Sequence, residues 1–543
     1  MVNRGRSGGC ITCKGRRIRC DEEKPNCRRC RRHGVECGGY KVNLKFREQN
    51  YKFSTVERKI EVGTDVGDRK MVVAVPFSPS APDTAVTFLL RHYAGYGRNM
   101  ESGRGFFEVL GPVYRSQAPD STLSHAVSAL ASLVSSIWRY GSHGANERRP
   151  PQDLYADAVV SLRRAIADCN QVNKTATLLA VLTLQWYENV VAVYGLRLAT
   201  GTHHDGAISL LSLAEPGLSS TIVDASVRKF VLHIEISSAL RRKKPIQSLL
   251  SLSLRNNVSI AAPLNPSMAL DSIGASIAEL QAAHIHSLKG KEELRADAKR
   301  IDTQLLAWAQ NAPPHWKSVR LTNGNALDSS IPYYIGQCEV YLSCQIANIW
   351  NLWRLQRLAL LKISVRSFAP TVHAQTRQLD EERMLGETED LRQFQDVAQG
   401  LIDSVCRSVP FYLGNRTAPL SMADFTDPDL SFPSCPETTF KTDNYDKDDR
   451  DSDMASDEHK HHIIAQGPWH IMSPLSHLLT LFLEDTDISS WLQPEQYQWI
   501  QTQFVRVLHI LHILPRAGGG SGAELIADLA KEVRKGAIFM SGP

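Results

Sequence analysis

Six cysteines fall within 28 residues, spaced Cys10-x2-Cys13-x6-Cys20-x6-Cys27-x2-Cys30-x6-Cys37. The run is two copies of C-x2-C-x6-C offset by 17 residues, so each cysteine of the first copy has a counterpart in the second. Thiolates are soft ligands, and in a reducing compartment paired cysteines serve a metal more readily than a disulfide. Zinc takes four such ligands in a tetrahedron. One zinc would strand two sulfurs. Two zincs need eight metal–sulfur bonds, which six sulfurs supply if two of them each bridge both metals; the repeat suggests equivalent positions for that pair. An iron–sulfur cluster is the inorganic rival, but it takes four cysteines and again leaves two over. With cysteine at every position and no open coordination site, zinc here would be structural.

The charges around the cysteines point to a polyanion. Met1 to Arg47 carries fourteen Lys/Arg against four Asp/Glu, a formal +10 in a chain whose total is +5, so the remaining residues carry −5. Six thiolates and two Zn²⁺ would leave the N-terminal module at about +8, the electrostatic footprint of a nucleic-acid partner. Four of the six residues between Cys13 and Cys20 are basic, whereas between Cys30 and Cys37 only Arg31 and Arg32 are, opposed by Glu36. The first half is therefore the better candidate for entering a groove.

The stretch CITCKGRRIRCDEEKPNCRRCRRHGVEC resembles the DNA-binding domain of the fungal Zn(II)2Cys6 binuclear zinc-cluster transcription factors at all six cysteines, at the basic run and at Lys24-Pro25. The resemblance implies two structural Zn²⁺ with Cys10 and Cys27 as bridging ligands, Cys13 and Cys20 completing one site, and Cys30 and Cys37 the other. It also implies a short helix that presents Arg16 and Arg17 to guanine edges in the major groove of double-stranded DNA. Arginine donates bidentately to O6 and N7 of guanine, which suits a CGG-like half-site. Lys14, Arg19, Arg28, Arg29, Arg31 and Arg32 would then contact phosphates and set register. Lys14 stands where the family more often has arginine, and Gly15 weakens its helix by about 1 kcal/mol. A basic run can also serve nuclear import on a purely structural zinc knob.

Several elements must carry this module. The chain has 543 residues, 43% hydrophobic and 22% charged, a globular composition with room for a large core. Residues 1–47 form the zinc module with its cluster at 10–37. Residues 48–83 read as linker, and 41–82 show no sustained heptads, so the coiled coil through which many relatives dimerise is not expected and a homodimer stays open. From Thr84 the pattern turns helical. Leu154, Ala158, Leu162, Ala165 and Cys169 make one stripe; Leu342, Ile346, Ile349 and Trp353 a second; Tyr497, Ile500, Phe504, Val507 and Leu511 a third, stopped by Pro515. Residues 84–543 are expected to form one large all-α domain.

That body resembles the fungal-specific transcription factor regulatory domain at TATLLAVLTLQWYENV (Thr175–Val190) and THHDGAISLLSLAEPG (Thr202–Gly217). The resemblance implies a regulatory helical domain and no catalytic residue. Residues 423–458 hold twelve acids against three bases, which predicts a disordered acidic insertion. Phe425, Leu430, Phe432, Phe440 and Tyr445 among those acids would suit an activation segment, and a solvated loop is the plainer reading.

No phosphate loop, H-E-x-x-H helix or G-x-S-x-G elbow occurs, which argues against an enzyme. No apolar h-region follows the first basic residues, so secretion is not expected. Apolar stretches such as Ala129–Val134 and Val190–Tyr194 fall short of the ~20 residues that span a bilayer, so no membrane segment is expected. Together these readings predict a nuclear, sequence-specific regulator of RNA polymerase II transcription, an activator, meeting DNA, the transcription machinery or coactivators, and an unlocated small-molecule effector. The competing class is a helical enzyme or small-molecule-binding domain with the zinc module as a nuclear-targeting or non-specific DNA-binding appendage.

Overall fold

The computed structural model describes residues 10–21, 23, 27–37, 84–94, 102, 106–139, 149–168, 175–213, 222–247, 265–322, 327–368, 380–435, 449–513 and 522–538. The chain divides into two compact units, Met1–Pro76 and Phe77–Pro543. The expected linker 48–83 and the Lys24-Pro25 loop lie outside the described residues.

The first unit contains two five-residue helices, α1 (Ile11–Gly15) and α2 (Arg28–Arg32), which pack on each other around four buried cysteines. Five residues make no hydrophobic face, so something other than apolar burial must hold them together.

The second unit is helical: α3 (Thr84–Ala94), α4 (Phe107–Arg115), α5 (Thr122–Trp138), α6 (Pro151–Ala167), α7 (Thr175–Tyr194), α8 (Thr202–Leu213), α9 (Ile222–Arg242), α10 (Pro266–Ile285), α11 (Lys291–Asn311), α12 (Cys344–Phe368), α13 (Asp380–Leu413), α14 (Asp449–Glu484), α15 (Thr486–Ser490), α16 (Gln496–Ile510) and α17 (Gly522–Gly536). Local chemistry sets several ends. Ser121 caps α5 by accepting the Ser124 N–H at 3.2 Å, and Pro151 opens α6, where its missing N–H costs nothing. Helix α5 packs on α3, α6 and α7. Helices α9 to α14 follow one another in contact, and α14 also lies against α16 and α17. The three predicted stripes fall on α6, α12 and α16, with Leu342 just ahead of α12, Leu511 capping the end of α16 and Cys169 outside the described residues. Cys338, Cys344 and Cys406 are fully buried in the common core.

Helix α7 departs from expectation. It is 20 residues long and apolar enough to cross a bilayer by length and composition, with 83% of its apolar window buried in the body. Thr183, Gln185 and Asn189 are buried with its leucines, so every face meets protein, as in the core helix of a large domain. Counting strictly apolar runs missed it because these polar residues interrupt the run. The all-α expectation also needs a small addition: β1 (Val319–Thr322) and β2 (Gln337–Val340) pair antiparallel, with Val319 opposite Val340 and Thr322 opposite Gln337. Helix α13 packs on β2.

The disordered insertion expected at 423–458 is corrected over 423–435. A short 3-10 turn, Met422–Thr426, is closed by a capping box between Ser421 and Asp424. Phe425 lies against His92, Trp138 and His461 with ring centroids 4.2, 5.0 and 5.6 Å away, and Phe432 packs on the core. Net charge misled here, because a few well-placed aromatics hold an acidic segment to a core. Residues 449–458 belong to α14, while Phe440 and Tyr445 lie outside the described residues. Phe425 and Phe432 are therefore engaged in packing, which removes them from the activation reading.

The same segment is pinned at the end of α13. Asn415 N–H donates to the Ser431 carbonyl at 3.1 Å, and Ser431 N–H returns to Asn415 Oδ1 at 3.0 Å. Gly414, just before Asn415, has φ +51°, and a methyl there would collide with the Ser431 carbonyl oxygen. Gly414→Ala is expected to destabilise the body by about 2 kcal/mol, combining a left-handed backbone with overpacking. Denaturant unfolding followed by tryptophan fluorescence measures it; an unchanged midpoint would show that 423–435 is not anchored there.

Candidate zinc centre and nucleic-acid interface

The 17-residue repeat of the sequence is a repeat in three dimensions. Cys10 and Cys27 stand just ahead of α1 and α2, and the sulfur of each accepts the backbone N–H three residues on, Cys13 and Cys30, at 3.3 Å in both halves. Each helix closes in the same way too. Ile18 N–H donates to the Cys13 carbonyl, and Val35 N–H to the Cys30 carbonyl, both at 3.1 Å. This six-to-one bond marks a Schellman end, whose preceding residue must take the left-handed conformation. In the second half that residue is Gly34, with φ +62°. In the first half it is Arg17, with φ +53°.

The sulfurs converge. Cys10 Sγ lies 3.7 Å from Cys27 Sγ and 3.8 Å from Cys30 Sγ, and Cys13 Sγ lies 3.6 and 3.9 Å from the same two. A tetrahedron with zinc–sulfur bonds of about 2.3 Å has edges of about 3.8 Å, so the Cys10–Cys27, Cys10–Cys30 and Cys13–Cys27 spacings fit the edges of a zinc thiolate centre. Among the described residues two groups of four sulfurs lie within 4.8 Å of one another: Cys10, Cys13, Cys20 and Cys27; and Cys10, Cys27, Cys30 and Cys37. Cys10 and Cys27 belong to both groups. The six-cysteine cluster is thus able to coordinate two zinc ions, with eight bonds drawn from six sulfurs.

Burial pushes the Cys10 thiol up from its ordinary value, and burial with thiol crowding pushes Cys30 up to about 12 and Cys13 higher still. Without a cation these sulfurs would hold their protons. Metal binding must therefore release them.

Two contacts fasten the halves, and the sequence reading missed both. Thr12 Oγ1 donates to the Glu36 carbonyl at 3.0 Å. Asp21 accepts the backbone N–H groups of Arg28, Arg29 and Glu23 at 3.0, 2.9 and 3.2 Å. Desolvation raises the Asp21 carboxyl, but the N–H bonds from Arg29, Arg28 and Glu23 outweigh it and hold the group below its ordinary value. The available signal was an aspartate placed to cap the second helix across the loop.

The predicted base-reading residues are brought together at one place. Arg16 and Arg17 occupy the turn after α1, with Arg19 two residues on, and all three are exposed. Lys14 lies within α1. Arg28, Arg29, Arg31 and Arg32 lie on α2, exposed, and two of them are already partnered: Glu23 meets Arg28 at 2.5 Å and Arg31 at 3.3 Å. Such surface pairs contribute little and are screened by salt, so a phosphate could displace them.

The comparisons agree with this geometry. Residues 8–46 match the model of the fungal Zn(2)-Cys(6) binuclear cluster domain, and residues 101–379, just over half of the chain, match the fungal specific transcription factor domain. The chain belongs to the fungal zinc-cluster transcription factors. Within that family it is similar over 37 residues, at 62% identity, to the aspercryptin biosynthesis cluster-specific transcription regulator atnN of Emericella nidulans, covering 7% of this chain and 6% of the relative. It is 45% identical over 38 residues to arginine metabolism regulation protein II of Saccharomyces cerevisiae, covering 7% and 4%. It is 48% identical over 40 residues to white-opaque regulator 2 of Candida albicans, covering 7% and 9%. The chain thus spans less than a tenth of the length of each of these zinc-cluster relatives. No solved structure matches the chain.

Proposed function

We propose that this protein is a nuclear, sequence-specific DNA-binding regulator of RNA polymerase II transcription that reads CGG-like half-sites through its first zinc half. The zinc-cluster membership and the regulatory names of its relatives support the class. One observation carries the reading of the site: at the position where the second half has Gly34, the first half holds Arg17 in the left-handed conformation. A β-carbon in that conformation costs about 1 kcal/mol, a cost that Leu196, Lys243, Ser287 and His512 also carry at helix ends of the body, so what supports the reading role is that this turn holds the Arg17 side chain exposed beside Arg16.

When bound, the two zinc ions supply the cross-links that a 28-residue module cannot obtain from apolar burial. Cys10 and Cys27 are proposed as the bridging ligands, Cys13 and Cys20 as completing one site, and Cys30 and Cys37 the other. Thr12 and Asp21 then fix the halves against each other. Arg16 and Arg17, on a turn held at both ends by cysteine, donate to guanine O6 and N7 in the major groove. Lys14, Arg19, Arg29 and Arg32 meet phosphates, and Arg28 and Arg31 do so by exchanging Glu23 for a phosphate oxygen. The helical body is the regulatory part, as its match to the fungal specific transcription factor domain supports.

Selection of duplexes from a randomised pool by the full-length, zinc-loaded protein at fixed salt tests the reading. CGG-like half-sites are expected to be enriched, with zinc-dependent binding. Enrichment of no sequence, with binding that depends only on ionic strength, would leave the module as a non-specific polycation and overturn it.

A further inference from the structure

Helices α11, α12 and α13 and the β-hairpin line an open cavity of about 510 Å³ that the DNA-reading function does not use. Its lining includes four basic side chains, Lys317, Arg320, Arg354 and Arg357, against two acidic ones, Glu339 and Asp396. A second cavity of about 330 Å³ shares Arg357 and Val397 with it and adds Arg295 and Lys299 against Asp302. Volumes of this size accept a small organic molecule.

The charges at the cavity wall are unequal. Glu339 is only 2% exposed, and three guanidinium groups face its carboxylate: Arg354 at 3.0 Å, and Arg320 and Arg407 at 3.5 Å. Asp403 partners Arg407 at 3.3 Å. With Asp396 in the lining and Asp302 paired to Arg357 at 2.7 Å, four guanidiniums meet four carboxylates, and Lys317 is the one further cation of the lining. Arg354 is 4% exposed and further engaged by Asn351 Oδ1 at 2.7 Å, so it is fixed in the wall. Arg320 is different. Its side chain is half exposed at the rim and its ion pair with Glu339 is long.

The remaining wall is aromatic. The indole N–H groups of Trp350 and Trp353 donate to the carbonyls of Trp316 and Leu305, at 2.7 and 2.8 Å, so their polar edges are satisfied inside the protein. Both residues line the cavity, their rings meet edge to face at 5.5 Å, and the Arg357 guanidinium stands 5.6 Å over one face of the Trp353 ring. Gly400, on α13, lines it as well, and a β-carbon there would meet nothing within 4 Å. A glycine inside a helix costs about 1 kcal/mol relative to alanine, and this one leaves the cavity open.

We infer that this cavity is a binding site for a planar aromatic carboxylate, whose anionic end meets Arg320 beside Lys317 and whose ring lies on the Trp350 and Trp353 wall. The site is independent of the DNA-reading proposal. The ligand's carboxylate offsets the further cation, Lys317, and the tryptophans select a flat apolar body.

Ligand-observed NMR titration of the full-length, zinc-loaded protein with 2-naphthoate, naphthalene-2-carboxamide and inorganic phosphate tests the inference without reference to DNA. Saturable binding of 2-naphthoate is expected, with the neutral amide weaker by about tenfold or more because it forfeits the charge-assisted hydrogen bond. Phosphate, lacking the ring, should bind more weakly than the naphthoate. Gly400→Leu, which favours the helix while filling the cavity, should abolish binding, and Arg320→Gln should reduce it about tenfold or more. Absence of saturable naphthoate binding, equal binding of acid and amide, or undiminished binding by Gly400→Leu would each overturn the assignment. Because duplex affinity is not read, failure here leaves the zinc-module reading intact.

Discussion

Serine in place of Cys27 is expected to remove both zinc ions, and with them all specific DNA binding. Cys27 Sγ belongs to both groups of four sulfurs, is fully buried, and accepts the N–H that starts α2. A hydroxyl in its place is a hard, neutral ligand that cannot bridge two soft sites. The remaining five thiols would then have to hold two metals with one group short at each. The energetic consequence is large because a structural zinc contributes on the order of 10 kcal/mol of apparent folding free energy, more than two five-residue helices can supply by packing. Cys20→Ser is the comparison: Cys20 belongs to one group only and is half-buried, so that variant is expected to retain one zinc. Native mass spectrometry of the full-length proteins counts the metals. One zinc on Cys27→Ser would sink the shared-ligand arrangement. The thermal transition of the helical body should be unchanged in both variants, since the two units are separately compact.

What could be read in advance follows from how local each feature is. The zinc centre was legible because all its ligands lie within 28 residues and their spacing alone fixes the ligand count. Helices α6, α12 and α16 were legible for the same local reason. The β-hairpin was not: VRLT and QCEV are four residues each, too short for a period of two to stand out among helices. The packing of Phe425 against His92 depends on contacts more than three hundred residues apart in sequence, so composition alone gave the opposite answer there. The cavity beside Trp350 draws on residues from Ala309 to Ser404 and has no sequence signature at all. The 17-residue repeat did contain one unread signal. Sliding the first copy onto the second pairs Arg17 with Gly34, and only the backbone shows why a glycine belongs at that position.

Arg17→Gly turns that pairing into an experiment in which stability and function move in opposite directions. Glycine adopts φ near +53° without steric cost, so the substitution should stabilise the zinc-loaded module by about 1 kcal/mol, as it relieves the β-carbon strain that Gly34 avoids in the second half. It also removes the guanidinium proposed to read guanine. A good bidentate base contact is worth about 1–3 kcal/mol, and loss of a positive charge next to the duplex adds to it, so affinity for a CGG-containing duplex should fall about 100-fold at fixed salt. Arg17→Ala separates the two effects. Alanine loses the side chain but keeps the strain, so it should bind as weakly as the glycine variant without the gain in stability. Resistance of the module to zinc chelation reports the first quantity, and fluorescence anisotropy with a labelled duplex reports the second. Were Arg17→Gly to bind CGG duplexes as tightly as the natural protein, the strained turn would have no reading role, and base recognition would have to be reassigned to Arg16 or Arg19.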